Sequence, residues 1–91
     1  MKNDLKILLY NKISMILLKE WDPIGIQNTP EAHDEYEAYA ASLLELIVSG
    51  KLEHEIFEYL WCIETEHMGL QGNKRVTKRI AKKLSGLINT I

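Results

Sequence analysis

The amino-acid sequence predicts an all-α protein: a compact, bundle-like, mostly antiparallel arrangement of four helices in a single domain, residues 1–91. Apolar residues recur at spacings of three and four in four separate segments, as they do on the buried face of a helix. The 91 residues include only two prolines and five glycines, and no alternation of apolar and polar residues persists long enough to indicate a strand. With 46% apolar and 26% charged residues, the chain has the composition of a globular protein with one core.

The first helix is predicted from Asp4 to Glu20, with Asn3 or Asp4 as its N-cap. Its main apolar stripe consists of Leu5, Leu9, Ile13, Ile16 and Leu17. Other apolar residues lie off this stripe, so we expect the helix either to be central or to cover a subunit interface.

The segment Trp21-Asp22-Pro23-Ile24-Gly25 follows. Its Asp22, Pro23 and Gly25 occupy the first, second and fourth positions of a type I turn, where these residue types are favoured. We therefore treat Trp21, Asp22, Pro23 and Gly25 as a structural motif, with the Trp21 and Ile24 side chains closing the core from outside.

The second helix is predicted to begin at Thr29 as N-cap, with Pro30 in its first turn, and to stop at Gly50. Its inner face is predicted to comprise Tyr36, Tyr39, Ala40, Leu43, Leu44 and Ile47. Because a very short link follows, we expect the second and third helices to form an antiparallel hairpin.

The third helix is predicted over Leu52–Met68, with Gly69 as a left-handed cap. Its main stripe is predicted to comprise Leu52, Ile56, Tyr59, Leu60, Ile63 and His67. A second apolar stripe, formed by Phe57, Trp61 and Met68, has Glu64 in its middle.

The fourth helix is predicted over Lys74–Asn89. One side is apolar and consists of Val76, Ile80, Leu84, Leu87 and Ile88. The other side is cationic and consists of Lys74, Arg75, Lys78, Arg79, Lys82 and Lys83.

The net charge of −2 conceals a partition along the chain: residues 1–19 carry +3, residues 20–70 carry −11 and residues 71–91 carry +6. Such asymmetry favours one-sided partners and head-to-tail contacts, within a chain or between copies, although solvated helix faces would also explain it. The predicted partner is a protein, with a basic one favoured by these charges, and a homo-oligomer is the alternative. The candidate partner-binding residues are Asp34, Glu35, Glu37, Glu55 and Glu58.

The cationic fourth helix offers phosphate contacts, but the acidic middle of the chain disfavours nucleic acid. Pairing of the helix with that acidic middle is the simpler interpretation.

Glu64 is the carboxylate that most needs an explanation, because burying an unpaired charge is costly. The favoured hypothesis is structural: Glu64 accepts hydrogen bonds from the Trp21–Gly25 turn or pairs with a cation of the fourth helix. The alternative is a small metal-binding protein or enzyme centred on Glu64 and His67, whose spacing places both on one helix face. Carboxylate-bridged metal bundles use that spacing twice, whereas it occurs once here, so we expect no metal and no cofactor.

Cys62 is the single cysteine, which excludes an internal disulfide and a cysteine-based zinc site. This usage suits a reducing, cytoplasmic environment. No apolar run approaches the ~20 residues of a membrane-spanning helix, so we expect no membrane association.

The quoted motifs resemble those of a family of small bacterial proteins known only as a domain of unknown function. The resemblance covers most of the chain and rests on Trp21-Asp22-Pro23-Ile24-Gly25, Asp34-Glu35-Tyr36 with Tyr39, Tyr59-Leu60, Ile63-Glu64 and Met68-Gly69-Leu70. It implies a compact all-helical domain from a bacterium, often a Gram-positive one, and no catalytic residues. In size and charge the chain also resembles, more loosely, immunity proteins that neutralise toxins, without a motif of the nuclease-inhibitor class. The predicted function is therefore non-enzymatic protein binding, with toxin neutralisation as one concrete version.

Overall fold

The computed structural model describes residues 2–22, 25, 34 and 36–87, and within them the chain forms four α-helices and no β-strand. The helices are α1 (Lys2–Ile16), α2 (Glu37–Val48), α3 (Glu53–Cys62) and α4 (Lys74–Ser85). Two of them continue into a wider π-helical turn, α1 into Leu17–Trp21 and α3 into Ile63–His67. The all-α class and the four helices predicted from the sequence are confirmed.

The helix boundaries differ from the prediction mainly at the N-termini. Helix α1 begins at Lys2, earlier than expected, and α2 begins at Glu37 within the described residues. The predicted start of the second helix at Thr29 and Pro30 lies outside the described residues, as does the predicted end of the fourth helix at Asn89.

The two π-helical turns are defined by backbone hydrogen bonds that span five residues instead of four. The Asp22 N–H donates to the Leu17 carbonyl and the Met68 N–H donates to the Ile63 carbonyl, both at 2.8 Å. A π-helical turn holds more residues than an α-helical turn, so it rotates every following side chain relative to the 3.6-residue period. The inward-facing positions at the ends of α1 and α3 are therefore shifted.

This shift explains one wrong prediction on the third helix. The 3.6-residue period places His67 on the inner stripe, but the structure exposes His67 and half-buries Met68.

Two leucines predicted on apolar stripes are also exposed, for other reasons. Leu52 is 62% exposed because it precedes α3 with an extended backbone, where the helical period does not apply. Leu5 is 41% exposed because it lies at the edge of the stripe centred on Leu9 and Ile13.

Glycines end α2 and α3 as predicted. At the end of α2, Gly50 has φ +78°, and the Lys51 N–H donates to the Leu46 carbonyl at 3.0 Å, which is the closing bond of a Schellman motif. At the end of α3, Gly69 has φ +67° and the Leu70 N–H donates to the Glu64 carbonyl at 3.0 Å. This second closing bond spans six residues, one more than in the Schellman motif, because the preceding turn is π-helical.

The helices pack as two principal pairs around one core. Helix α1 packs chiefly against α2, and α3 against α4, while α2 and α3 make few contacts despite their short link. The predicted α2–α3 hairpin is therefore not the main pairing. Every helix contributes to the core, whose largest fully buried apolar side chains are Leu9, Ile13, Leu17, Leu43, Ile56, Leu60, Ile80 and Leu84. Helix α4 also contacts the π-helical turn after α1, which brings the ends of α1 and α3 close to the start of α4.

Candidate functional site

Glu64 is a buried carboxylate that accepts three hydrogen bonds. Its side chain is 4% exposed. Oε1 accepts from the indole Nε1 of Trp21 at 3.2 Å and from the hydroxyl of Thr77 at 2.5 Å, and Oε2 accepts from the backbone N–H of Asn73 at 2.7 Å. Three hydrogen bonds offset the cost of burying this polar group. We call this group of four residues the Glu64 cluster.

The Glu64 cluster joins three segments of the chain. Trp21 ends the π-helical turn after α1, Glu64 lies on the π-helical turn after α3, and Asn73 and Thr77 lie at the start of α4. Asn73 is the N-cap of α4, since its side chain accepts from the Val76 N–H at 3.2 Å. The carboxylate thus also lies at the positive end of the α4 dipole, which favours negative charge.

Gly72 allows the chain to approach α3 closely just before Asn73. It has φ +85°, and a Cβ atom at this position would lie 2.8 Å from the Trp61 ring and 3.1 Å from the Thr65 methyl group. Trp61 in turn stacks on Phe57, with 5.8 Å between ring centroids and 18° between planes. A glycine is needed here both for the left-handed backbone and for the contact with Trp61.

The structure describes three residues of the Trp21–Gly25 motif, namely Trp21, Asp22 and Gly25. The Gly25 N–H donates to the Asp22 carbonyl at 3.2 Å, as in the predicted turn. The Asp22 carboxylate accepts from the Tyr36 hydroxyl at 2.8 Å, and the Trp21 and Tyr36 rings lie 5.7 Å apart. Pro23 and Ile24 lie outside the described residues, so the turn type stays a prediction. Through Trp21 and Tyr36, this segment connects the Glu64 cluster to the start of α2.

A cleft of about 290 Å³ opens beside the Glu64 cluster and is lined by Trp21, Glu64, Leu70, Gly72, Asn73, Val76 and Thr77. Both Glu64 oxygens already accept hydrogen bonds from protein groups. His67 is exposed, while Glu64 is buried, so the two candidate metal ligands lie in different environments. Within the described ranges, no group of three or more histidine, cysteine, aspartate or glutamate side chains is placed to hold a metal ion.

Three of the five candidate partner-binding residues, Asp34, Glu37 and Glu58, are exposed. Glu55 is different, because it is half-buried and its Oε2 accepts from the Leu52 N–H at 3.0 Å. Glu55 therefore caps the start of α3, as the glutamate of a capping box does. Glu35 lies outside the described residues.

The cationic side of α4 is exposed at all six of its positions, namely Lys74, Arg75, Lys78, Arg79, Lys82 and Lys83. Among the described residues the only ion pair is between Lys83 Nζ and Glu20 Oε2, at 2.7 Å. Lys78 Nζ lies 5.9 Å from the centroid of the Phe57 ring, within reach of a cation–π interaction. Of the described carboxylates in the acidic middle of the chain, only that of Glu20 forms the expected ion pair with this helix.

Cys62 carries a thiol that is not activated. Its Sγ donates to Glu66 Oε2 at 3.0 Å, and this hydrogen bond, together with burial and the charge of Glu66, raises the pKa of Cys62. A raised pKa leaves less thiolate, which is the nucleophilic form.

Thr77, Asn73 and Gly72 were not predicted as parts of this site. The signals were present in the sequence, because Thr77 interrupts the apolar side of the fourth helix and Asn73 stands three residues before Val76, as an N-cap would. A buried polar residue on each of two facing stripes, Glu64 and Thr77, indicates a mutual hydrogen bond.

No family model matches this chain, and comparisons with curated proteins and with solved structures also gave no significant match. The resemblance to the small bacterial family accordingly stays a prediction. No helix in the described part of the chain is long and apolar enough to cross a membrane.

Proposed function

We propose that this protein is a non-enzymatic protein-binding domain. It binds a basic partner through the exposed carboxylates of α2 and α3 and through Asp34, which precedes α2. These are Asp34, Glu37, Glu45 and Glu58, which we call the acidic surface. The other exposed carboxylate of α3, Glu53, lines a pocket together with Lys78 and is not included. The observation that carries the proposal is that none of them forms an ion pair with a described residue, although α4 of the same molecule exposes six cations. These carboxylates therefore stay available to another molecule.

The outer face of α2 suits close approach by a partner. Glu37, Ala41 and Glu45 follow one another at a spacing of four residues, so they form a row along the helix. All three are exposed, as are Ala38 and Ser42 beside them. The small side chains between the two carboxylates leave the helix surface flat, so a partner can approach α2 closely. The cations of the partner can then form ion pairs with Glu37 and Glu45.

The contacts of the potentially reactive residues favour binding over catalysis. Both oxygens of the Glu64 carboxylate accept hydrogen bonds from protein groups, namely from Trp21, Thr77 and Asn73. The pKa of Cys62 is raised by its hydrogen bond to Glu66. Toxin neutralisation in the bacterial cytoplasm, suggested by the size and charge of the chain, is one concrete version of the proposal.

A partner bound through exposed charges should respond to salt. Each exposed ion pair contributes little, roughly 0–1 kcal/mol, but a set of like charges steers an oppositely charged partner and raises its association rate. Because salt screens exposed charges over about 10 Å at 0.1 M, the complex should weaken as ionic strength rises.

The test is affinity capture from a lysate of the source organism, with three baits. The wild-type chain is compared with an acid-neutralised variant, Asp34→Asn, Glu37→Gln, Glu45→Gln and Glu58→Gln. The matched control neutralises four exposed cations on α4, by Lys74→Gln, Arg75→Gln, Arg79→Gln and Lys82→Gln.

We expect one basic protein, identified by mass spectrometry, to bind the wild type and the cation-neutralised control at low salt. The same protein should be lost from the acid-neutralised bait and at high salt. Capture of nothing at low salt, or equal capture by all three baits, would reject the acidic surface as the binding site.

A homo-oligomer, the second partner predicted from the sequence, is also proposed. Its surface is centred on α1 and meets the acidic surface at Glu37, which lines a groove beside α1.

A further inference from the structure

Helix α1 carries two apolar stripes, and the described part of the chain covers only one of them. The inner stripe, which includes Leu9 and Ile13, is buried in the core. On the opposite side Ile7 is 60% exposed, Leu8 is 44% exposed and Met15 is 57% exposed. We call this side the outer face of α1; at spacings of three and four residues it comprises Asp4, Ile7, Leu8, Asn11, Ser14, Met15 and Leu18.

A groove of about 270 Å³ runs beside the second half of the outer face. It is lined by Tyr10, Asn11, Ser14, Met15, Leu18, Tyr36 and Glu37. The Ser14 hydroxyl oxygen is buried there without a hydrogen-bond partner among the described residues. An apolar cavity of about 150 Å³ is enough to hold a benzene molecule, so this groove has room for an aliphatic side chain.

We propose that a second copy of this chain covers the outer face, with its α1 antiparallel to the first and a two-fold axis at Asn11. Residues of the outer face are placed symmetrically on either side of Asn11, so two copies of this face can pack against each other about that residue. Asn11 is the midpoint between Ile7 and Met15, and also between Leu8 and Ser14. Antiparallel packing therefore places Ile7 and Leu8 of each copy against the groove of the other, as an isologous interface requires.

Charge specifies the antiparallel orientation. Asp4 and Lys19 lie near opposite ends of the outer face, both are exposed, and neither forms an ion pair with another described residue. Antiparallel packing brings Asp4 of each copy towards Lys19 of the other, whereas parallel packing would bring like charges together. The midpoint of these two positions also falls beside Asn11.

Asn11 suits the position on the two-fold axis. Asp4, Asn11 and Leu18 are seven residues apart, which is the heptad spacing of helices that pack side by side. A carboxamide both donates and accepts hydrogen bonds, so two Asn11 side chains can bond to each other across the axis. A single asparagine in such a seam fixes register in coiled coils, and we assign the same role to Asn11.

The first test is sedimentation analysis of the wild-type chain from low micromolar to near-millimolar concentration. We expect a concentration-dependent dimer that persists at high salt, because the contact is mainly apolar. Ile7→Glu should weaken dimerisation at least tenfold, since it places two carboxylates in the interface. The matched control is Leu52→Glu, which changes an equally exposed leucine away from α1 and should leave the dimer intact.

Both variants change exposed residues, and circular dichroism with urea unfolding will show that the monomer fold is retained. A wild-type chain that is monomeric at every concentration overturns the proposal. So does a dimer that Ile7→Glu and Leu52→Glu affect equally.

The second test addresses orientation by charge reversal. Asp4→Lys and Lys19→Asp should each weaken the dimer, and the double variant should restore it, because opposite charges again face each other. A double variant that is as weak as the single variants would overturn the antiparallel arrangement.

Discussion

Glu64 and Glu66 lie two residues apart on the same π-helical turn, yet their carboxylates have opposite environments. Glu64 is buried and accepts hydrogen bonds from Trp21, Thr77 and Asn73. Glu66 is exposed and accepts from the thiol of Cys62. The same chemical group therefore connects three segments at one position and modulates a neighbouring side chain at the other. The difference arises from the direction in which the π-helical turn points each side chain, not from residue type.

The largest expected effect is the loss of stability in Glu64→Ala. Removing the carboxylate leaves a buried indole N–H, a hydroxyl and a backbone N–H without their acceptor, and each such group costs about 1–3 kcal/mol. We expect the free energy of unfolding to fall by about 3 kcal/mol or more, a large part of the ~5–15 kcal/mol that stabilises a typical domain. Urea unfolding followed by circular dichroism measures this.

The control is Glu66→Ala on the same turn. A surface substitution of this kind usually changes stability by less than about 0.5 kcal/mol. Equal losses in the two variants would show that the Glu64 cluster does not hold the segments together.

A smaller loss is expected in Gly72→Ala, which tests how the chain reaches Glu64. The added methyl group would meet the Trp61 ring at 2.8 Å and displace the segment that carries the Asn73 N–H. Overpacking of this kind costs about 1–3 kcal/mol, in addition to about 1–2 kcal/mol for an alanine in the left-handed region.

Gly50→Ala is a matched control for the cost of placing an alanine in the left-handed backbone conformation. Gly50 has φ +78°, close to that of Gly72, but a Cβ atom there meets nothing within 4 Å. Thermal or urea unfolding of both variants should therefore differ by the cost of the contact with Trp61. If both lose the same stability, close packing at Gly72 contributes nothing.

The contrast between Glu64 and His67 shows what periodicity could predict. The sequence predicted a polar residue in need of partners at Glu64, and the structure buries that side chain. It placed His67 on the inner stripe, and the structure exposes it. The 3.6-residue period holds until Ile63 and then fails, because the π-helical turn adds a residue before the helix ends. A π-helical turn has no established composition signal that would have revealed it.

The donors of Glu64 show a second limit of sequence reasoning. The sequence assigned the donors to the backbone of the Trp21–Gly25 turn or to a cation of the fourth helix. One donor, Trp21, does belong to that turn, but it donates through its indole and not through its backbone N–H. The other donors are the Thr77 hydroxyl and the Asn73 N–H, and none is a cation. Hydrophobic periodicity identifies which face is buried, but the choice among nearby donors depends on the relative positions of α1, α3 and α4, which periodicity does not fix.

The smallest expected effect concerns Glu66 and leaves stability unchanged. The hydrogen bond from the Cys62 thiol to the Glu66 carboxylate is the main cause of the raised pKa of Cys62, followed by burial and by the charge of Glu66. Glu66→Gln replaces this acceptor with a neutral amide, so the pKa of Cys62 should fall and the thiolate fraction at mildly alkaline pH should rise. Alkylation by iodoacetamide, followed by mass spectrometry, should be faster in Glu66→Gln than in the wild type.

Glu58→Gln is the matched control for the Cys62 experiment, since Glu58 lies one helical turn from Cys62 on the other side and does not bond to it. It should leave the alkylation rate nearly unchanged. If Glu58→Gln accelerates alkylation as much as Glu66→Gln does, the general negative charge of α3, and not the hydrogen bond, controls the thiol. If only Glu66→Gln does so, the exposed carboxylate of this turn acts through one specific contact, as the buried carboxylate of Glu64 acts through three.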